Sequence, residues 1–229
     1  MQDRAAIIAH PTLKGYALAV LADGMGGRSG GAIAAQQVIT TAQQLMVHFS
    51  IDDSPKEFLT QLVQESHAVI KLLSISDEKE PHSTLVALLI TPTELHWVHV
   101  GDSRLYRFRH GALAEETSDH SFVNEALAQG LIRADQAETH PQRNMITSAL
   151  GAIKKPKFDL AELKNPRAGD FFILSSDGLW AYIEPVEMAD IILGMNIKTA
   201  ANLMMELARE RAQGRGDNVS MILVKLVEA

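Results

Sequence analysis

Three aspartates in this sequence stand next to apolar runs, in positions that suit a metal ligand. Asp23 ends one run and precedes Gly24, Asp177 follows another and precedes Gly178, and Asp217 lies just before the last run. Hard divalent cations prefer carboxylate and carbonyl oxygens, and glycine lets a carbonyl approach an ion closely. One aspartate beside a glycine is usually only a turn former. Because the pattern occurs three times, it predicts a divalent metal site where these strand ends meet.

The glycine-rich segment 23–31 admits other interpretations. A dinucleotide-binding fingerprint needs a third glycine at position 29, where Ser29 stands, and a strand after the helix, whereas two helical patterns follow. A P-loop needs Lys and then Ser or Thr after its glycine, and these are missing here. A plain glycine-rich turn that leads into a helix remains an alternative at this point.

The composition excludes several classes of function. The 229 residues include no cysteine, so disulfides, thiolate catalysis and cysteine-ligated metals are excluded. The formal net charge of −7 does not favour binding to nucleic acid. The chain starts without a signal-peptide pattern, and its apolar runs are far shorter than a membrane span. We expect a soluble, cytoplasmic protein with no membrane contact.

Apolar runs and helical periodicity predict the elements that position these aspartates. Strands are predicted at 16–22, 84–90, 95–100, 104–109, 171–174 and 219–224. Helices are predicted at 31–49, 55–74, 186–193 and 199–212. The runs between 84 and 109 are joined by short turns, which predicts an antiparallel meander and an α+β fold rather than a doubly wound sheet.

The domain organisation follows from the same pattern. A content of 46% apolar residues supports one sizeable core, and we expect a single domain over residues 1–229. The segment 118–151 is polar and helix-like, and Gly130 and Pro141 interrupt it. We interpret this segment as a small helical flap inserted beside the sheets.

Short motifs spread over the whole chain resemble those of one family, the metal-dependent protein phosphatases of the 2C type, and the bacterial members in particular. They occur in the order that the family shows. The matching motifs are Gln2-Asp3, Asp23-Gly24-Met25-Gly26-Gly27, Ser83-Thr84, Val100-Gly101-Asp102-Ser103-Arg104, Thr117-Ser118-Asp119-His120-Ser121, Leu150-Gly151, Ser176-Asp177-Gly178-Leu179 and Gly216-Asp217-Asn218.

The resemblance implies a fold and an activity. The fold would be two antiparallel β-sheets packed as a sandwich and flanked by pairs of antiparallel helices. The activity would be hydrolysis of phosphoserine and phosphothreonine in proteins by a hydroxide that bridges two Mn²⁺ or Mg²⁺ ions. The implied partners are phosphorylated protein substrates and a serine/threonine kinase or its targets, and the implied state is a monomer.

The resemblance also assigns site residues. Asp23 would bridge both ions. The other ligands would be the carbonyl of Gly24 for the first ion, Asp177 and Asp217 for the second, and Asp3 through bound water. A third, weaker ion would take Asp119 together with Asp177.

Two departures from the family pattern bear on activity. Met1 stands where the family has the asparagine of its Asn-Gln-Asp motif, so the phosphate-binding arginine and its N-terminal strand are expected to be missing. Arg143 in the flap is then the remaining candidate for contact with the phosphate. Relatives with a histidine after the Asp-Gly pair use it as the acid, whereas this chain has Met25, so water or His120 would take that role. A catalytically weak module of the same fold, which binds a phosphoprotein or kinase, is the alternative to an enzyme.

Other polar residues have simpler interpretations. Asp102 is interpreted as a structural turn residue, and Arg104 is expected to pair with a nearby acid or carbonyl. His96 and His99 are three positions apart on a predicted strand, so their side chains should lie on opposite faces and not share a zinc ion.

Overall fold

The computed structural model describes residues 1–76, 80–137, 139–214 and 216–228. Its strands are β1 (Arg4–Ala9), β2 (Ala17–Ala22), β3 (Gly24–Met25), β4 (His82–Ser83), β5 (Leu85–Ile90), β6 (Glu94–Val100), β7 (Arg104–Arg109), β8 (Ala112–Glu116), β9 (Asp159–Lys164), β10 (Phe171–Ser175) and β11 (Met221–Lys225). Its helices are α1 (Gly27–His48), α2 (Pro55–Ser76), α3 (Phe122–Ala128), α4 (Ala134–Ala137), α5 (Asp177–Trp180), α6 (Pro185–Gly194) and α7 (Ile197–Ala212).

Two antiparallel sheets form the centre of the molecule. The first has the strand order β1-β2-β5-β6-β9, and the second has the order β11-β10-β7-β8. Strands β3 and β4 form a separate two-stranded ribbon beside the first sheet. The predicted α+β class and the implied pair of antiparallel sheets are confirmed.

Three apolar layers hold the sheets and helices together. Side chains such as Leu88 and Trp97 of the first sheet pack against Phe172 and Leu174 of the second. The outer face of the first sheet packs against α1 and α2, and the outer face of the second packs against α6 and α7. The molecule is therefore a sandwich with one helix pair on each side. No helix in the described ranges is both long and apolar enough to cross a membrane.

Three strands that the sequence pattern does not predict lie at sheet edges. They are β1 and β9 in the first sheet and β8 in the second. The side chains of β1 alternate between half-buried and exposed, and those of β8 and β9 are mostly exposed or half-buried. Continuous apolar runs predict strands that are buried on both faces, such as β2 and β10, and leave such edge strands undetected.

The predicted meander through residues 84–109 is correct for β5 and β6 and wrong for β7. Strand β6 already pairs with β5 on one side and β9 on the other, so β7 joins the second sheet between β10 and β8. The turn between β6 and β7 has Gly101 at φ 93, where an added Cβ would lie 2.8 Å from the Thr84 side chain. This turn carries the chain from one sheet to the other.

The segment predicted as a flap contains the two short helices α3 and α4. Ser121 caps α3 by accepting a hydrogen bond from the N–H of Asn124 (3.3 Å). A backbone bridge between Ser121 and Ile146 joins the two ends of the segment to each other. The bridge between Ser83 and Leu150, and the hydrogen bond from the N–H of His120 to the carbonyl of Gly101 (2.9 Å), attach these ends to the body of the molecule.

The packing between the sheets predicts a large difference between two identical substitutions. Leu88 is fully buried, whereas Leu72 on α2 is 65% exposed. Leu88→Ala should lower the free energy of unfolding by about 2–5 kcal/mol, because it leaves a cavity between the sheets. Leu72→Ala should change it by less than about 0.5 kcal/mol. Urea unfolding curves of both variants check this, and similar losses would contradict the layer assignment.

Candidate metal centre

Several strand ends meet at one edge of the sandwich, and four aspartates lie there. Strand β1 begins beside the end of β2, which places Asp3 next to Asp23. Strand β10 ends beside the start of β11, which brings Asp177 toward Asp217. Asp3 and Asp177 both act electrostatically on Asp23, and Asp217 acts on Asp177. The four residues, here called the acid cluster, form one group contributed by both sheets.

Asp23 is the best fixed member of the acid cluster and is 9% exposed. Its N–H donates to Oγ1 of Thr84 (3.0 Å). Its carbonyl accepts from the backbone N–H of Thr84 (2.9 Å) and from the hydroxyl of Ser83 (3.1 Å). These bonds hold the backbone of Asp23 and leave its carboxyl group to face the other acids.

Burial and mutual repulsion change the protonation of the acid cluster. Burial, followed by the charges of Asp3 and Asp177, raises the pKa of Asp23 to about 9. Burial, followed by the charges of Asp217 and Asp3, raises the pKa of Asp177. Without a counter-charge, Asp23 is therefore protonated at neutral pH. A divalent cation favours the ionised form and reverses this shift.

Ser176 connects the two sheets within the acid cluster. Its hydroxyl donates to Oδ2 of Asp3 (2.9 Å) and accepts from the N–H of Ser220 (3.2 Å). Burial raises the pKa of Asp3, and the hydrogen bonds from Ser220 and Ser176 oppose that rise. Ser176 thus orients the Asp3 carboxyl group from the second sheet, a role that sequence patterns did not indicate.

Two glycines permit the close packing of the segments that carry the aspartates. A Cβ at Gly24 would lie 2.0 Å from the carbonyl oxygen of Gly31, so a side chain there would separate the start of α1 from β3. A Cβ at Gly178 would lie 2.2 Å from the carbonyl oxygen of Asn218, next to Asp217. Both Asp-Gly pairs therefore need glycine at the second position, because any side chain there would collide with a neighbouring backbone carbonyl.

The oxygen atoms of the acid cluster fit the predicted metal ions. Oδ1 of Asp3 and Oδ1 of Asp177 are buried and have no hydrogen-bond donor outside the acid cluster among the described residues. Buried carboxylate oxygens without donors are unfavourable, whereas Mg²⁺ and Mn²⁺ take such oxygens as ligands. The donor set fits these ions, and the assignment of ligands to individual ions remains a prediction.

Asp102 belongs to this site although it was interpreted as a turn residue. It occupies the turn after β6, and burial followed by the charges of Asp177 and Asp119 raises its pKa to about 7. Its carbonyl accepts a hydrogen bond from Nε1 of Trp180 on α5 (3.0 Å). The available signal was an acid one residue after an apolar strand, which is close to the signal that identified Asp23.

Arg104 pairs with acids, as predicted. Its Nε and Nη2 donate to the two carboxylate oxygens of Asp119, each over 2.8 Å, and Nη1 donates to Glu116 (3.1 Å). Its guanidinium group lies 3.7 Å above the ring of Trp180. An ion held by Asp119 would have to compete with this ion pair, and a third ion at Asp119 and Asp177 stays a prediction.

The histidines and the flap arginine contribute no contact to the acid cluster in the described residues. Nδ1 of His120 accepts from the N–H of Gly101 (3.1 Å), and its Nε2 lies 3.2 Å from Oδ2 of Asp159. His99 stacks on His120 at 4.7 Å, whereas His96 lies on the other face of β6, as predicted. The side chain of Arg143 is exposed, so its contact with a substrate phosphate stays a prediction. Met25 cannot donate a proton, so the identity of the general acid stays a prediction as well.

Carboxylates gathered in this way at the edge of a sandwich define a class of protein suited to binding divalent metal ions. Residues 1–201 match the family described as protein phosphatase 2C, and the chain belongs to this family. It is 34% identical to the serine/threonine protein phosphatase PstP of Mycobacterium tuberculosis, over 93% of this chain and 41% of PstP. The chain thus spans about two fifths of that relative. It is 32% identical to the protein phosphatase PhpP of Streptococcus pneumoniae, over 93% of this chain and 87% of PhpP.

Solved structures agree with this assignment. The S. agalactiae serine/threonine phosphatase has a TM-score of 0.89 and 28% identity, over 99% of this chain and 93% of that chain. The catalytic domain of PstP in complex with two manganese ions has a TM-score of 0.78 and 27% identity, over 99% of this chain and 97% of that chain. The predicted family and fold are confirmed.

The raised pKa of Asp23 predicts how stability depends on pH without divalent ions. The folded protein binds the Asp23 proton more tightly than the unfolded chain does, so stability falls as the pH rises between about 4 and about 9. The variant Asp23→Asn has no carboxyl group to ionise at this position, so it should not lose this stability as the pH rises. In chelator at pH 8 the variant should melt higher than the parent, by on the order of 5 °C.

Saturating Mn²⁺ should reverse the order of the two melting temperatures, because only the parent keeps a carboxylate at position 23 to bind the ion. Asp190→Asn, at an exposed acid on α6, serves as the control and should follow the parent in both conditions. Melting curves at pH 5 and pH 8 provide the measurement. Identical pH profiles for the parent and Asp23→Asn would show that Asp23 is not buried among like charges.

Proposed function

We propose that this chain hydrolyses phosphoserine and phosphothreonine in proteins at a centre of two divalent ions held by the acid cluster. The observation that carries the proposal is the buried carboxyl group of Asp23, which faces like charges and has a raised pKa. Two neighbouring buried oxygens, on Asp3 and Asp177, also lack hydrogen-bond donors outside the acid cluster among the described residues. A cluster this unfavourable on its own is suited to cations.

Each residue of the acid cluster has its own proposed role in binding the two ions. Asp23 would contact both ions, Gly24 would offer its carbonyl to one, and Asp177 and Asp217 would hold the other. Asp3, oriented by Ser176, would support the centre through water. When bound, the ions supply the Lewis acidity and the activated nucleophile that hydrolysis of a phosphate ester needs.

The ligand chemistry supports manganese or magnesium. The cluster offers carboxylate and carbonyl oxygens and no thiolate, a set that favours these ions over zinc or copper. The PstP catalytic domain, a relative of this chain, is in complex with two manganese ions. We propose two ions here, and a third at Asp119 and Asp177 only if Arg104 releases Asp119.

We further propose a cytoplasmic monomer that acts on phosphorylated proteins made by a serine/threonine kinase. The net charge of −7 supports protein substrates over nucleic acids. A binding module without turnover gains no support from the described residues, because all four acids of the cluster are present and packed together.

The proposal predicts that turnover depends on the second-ion ligand. Asp177→Ala should lower Mn²⁺-dependent hydrolysis of a phosphothreonine peptide and of an aryl phosphate by about 100-fold or more. Asp190→Ala, an exposed acid on α6, should retain the parent rate. Equal rates for Asp177→Ala and the parent would rule out the two-ion proposal, and manganese-independent turnover would do so as well.

A second prediction concerns the residue that binds the substrate phosphate. If Arg143 binds the phosphate, Arg143→Ala should raise KM for the phosphopeptide several-fold and leave kcat nearly unchanged. An N-terminal extension that places an arginine before Gln2 should lower KM in both the parent and Arg143→Ala. Steady-state kinetics of the four proteins separate the two sources. No change of KM in any of them would mean that another residue binds the phosphate.

A further inference from the structure

A second group of metal-ligating side chains lies far from the acid cluster. Glu94 and His96 are two positions apart on β6, and His96 pairs across the strands with Glu162 on β9. Their side chains therefore share one face of the first sheet. Strand β6 continues for four residues beyond His96 to Val100, which corresponds to roughly 13 Å, before the turn that leads toward the acid cluster. This group cannot share an ion with the acid cluster.

The imidazole of His96 is buried and incompletely bonded. His96 is 6% exposed, and its Nε2 atom has no hydrogen-bond partner among the described residues. Oε1 of Glu94 lies 3.1 Å from Nε2, close enough for a charge contact, but its direction does not suit a hydrogen bond. Two ligand atoms that bind one tetrahedral zinc ion at about 2.1 Å are separated by about 3.4 Å. The Glu94 and His96 atoms are already close to this spacing.

Glu162 completes the group. Its Oε2 lies 3.8 Å from Nδ1, the other ring nitrogen of His96, so the Glu162 carboxylate must turn toward Nε2 to share an ion with Glu94. One ligand atom from each of the three residues lies within 4.8 Å of the others. The carboxylates of Glu94 and Glu162 are about one third and one half exposed, so an ion can reach the site from solvent. The buried imidazole supplies the fixed ligand, and the carboxylates can adjust.

We propose that Glu94, His96 and Glu162 form a second metal site, which binds a transition-metal dication such as Zn²⁺. One imidazole nitrogen and two carboxylates are a ligand set that suits zinc better than magnesium. Two carboxylates also neutralise the charge of the dication. The ion would join β6 to the edge strand β9, and this site is independent of the proposed phosphatase activity.

Lys164 is the competing cation at this site. Its Nζ lies 3.0 Å from Oε1 of Glu162, and Lys164 pairs across the strands with Glu94. The ammonium group therefore neutralises part of the carboxylate charge that an ion would use. Removal of this charge should strengthen metal binding, which distinguishes a metal site from a merely structural ion pair.

The other histidine group, His99 with His120 and Asp159, is less suited to an ion. His99 Nε2 donates to the carbonyl of Ser118 (2.9 Å), and both nitrogens of His120 are engaged by Gly101 and Asp159. A metal there would have to displace these bonds. His96 Nε2 has no such bond to lose.

The test is zinc titration of the metal-free full chain by calorimetry, in excess magnesium and in the Asp23→Asn background. We expect one zinc equivalent whose affinity falls at least about 10-fold in His96→Ala and in Glu162→Gln. Lys164→Met should tighten binding several-fold. His48→Ala, at an exposed histidine on α1, should bind as the starting protein does. Zinc should also shift the ring ¹⁵N resonances of His96.

Glu162→Gln and Lys164→Met keep the test decisive if His96→Ala does not fold, because both positions are surface residues. Unchanged zinc affinity in both of these variants would overturn the proposal. Zinc binding that leaves the His96 resonances unmoved, or no zinc binding at millimolar concentration, would overturn it equally.

Discussion

The mutual repulsion of buried carboxylates is the interaction on which the rest of this structure depends. Asp3, Asp23 and Asp177 are held close together where water cannot screen them, and burial raises the pKa of each. Such a group destabilises a protein unless the surrounding fold is rigid and a cation balances the charge. The packing of the two sheets must therefore offset the unfavourable free energy of the acid cluster.

The architecture supplies this rigidity from both sheets. The first sheet holds Asp23 through the backbone and hydroxyl of Thr84, and the second orients Asp3 through Ser176. Around the cluster, Trp180 connects Asp102 with Arg104, which in turn binds Asp119 at the start of the flap. One ion pair and one stack of side chains therefore connect the flap with Asp102, whose carboxyl group interacts electrostatically with Asp177.

The sequence predicted the features that have a local signature. Apolar runs identified the strands that lead to Asp23 and Asp177, and the Asp-Gly pairs identified the acids. Features that depend on distant partners could not be predicted. The passage of β7 to the other sheet follows from the pairing of β9 with β6, and the role of Ser176 follows from the approach of β1 to β10. The turn position of Asp102 was predicted, whereas its interaction with the charges of Asp177 and Asp119 depends on distant segments.

Anomalous diffraction from crystals grown with Mn²⁺ tests the central claim most directly. Two manganese peaks should appear at the edge of the sandwich, both in contact with the carboxylate of Asp23, with Asp177 and Asp217 on one of them. Peaks that do not touch Asp23, or no peak at the acid cluster at saturating manganese, would contradict a two-ion centre at this site.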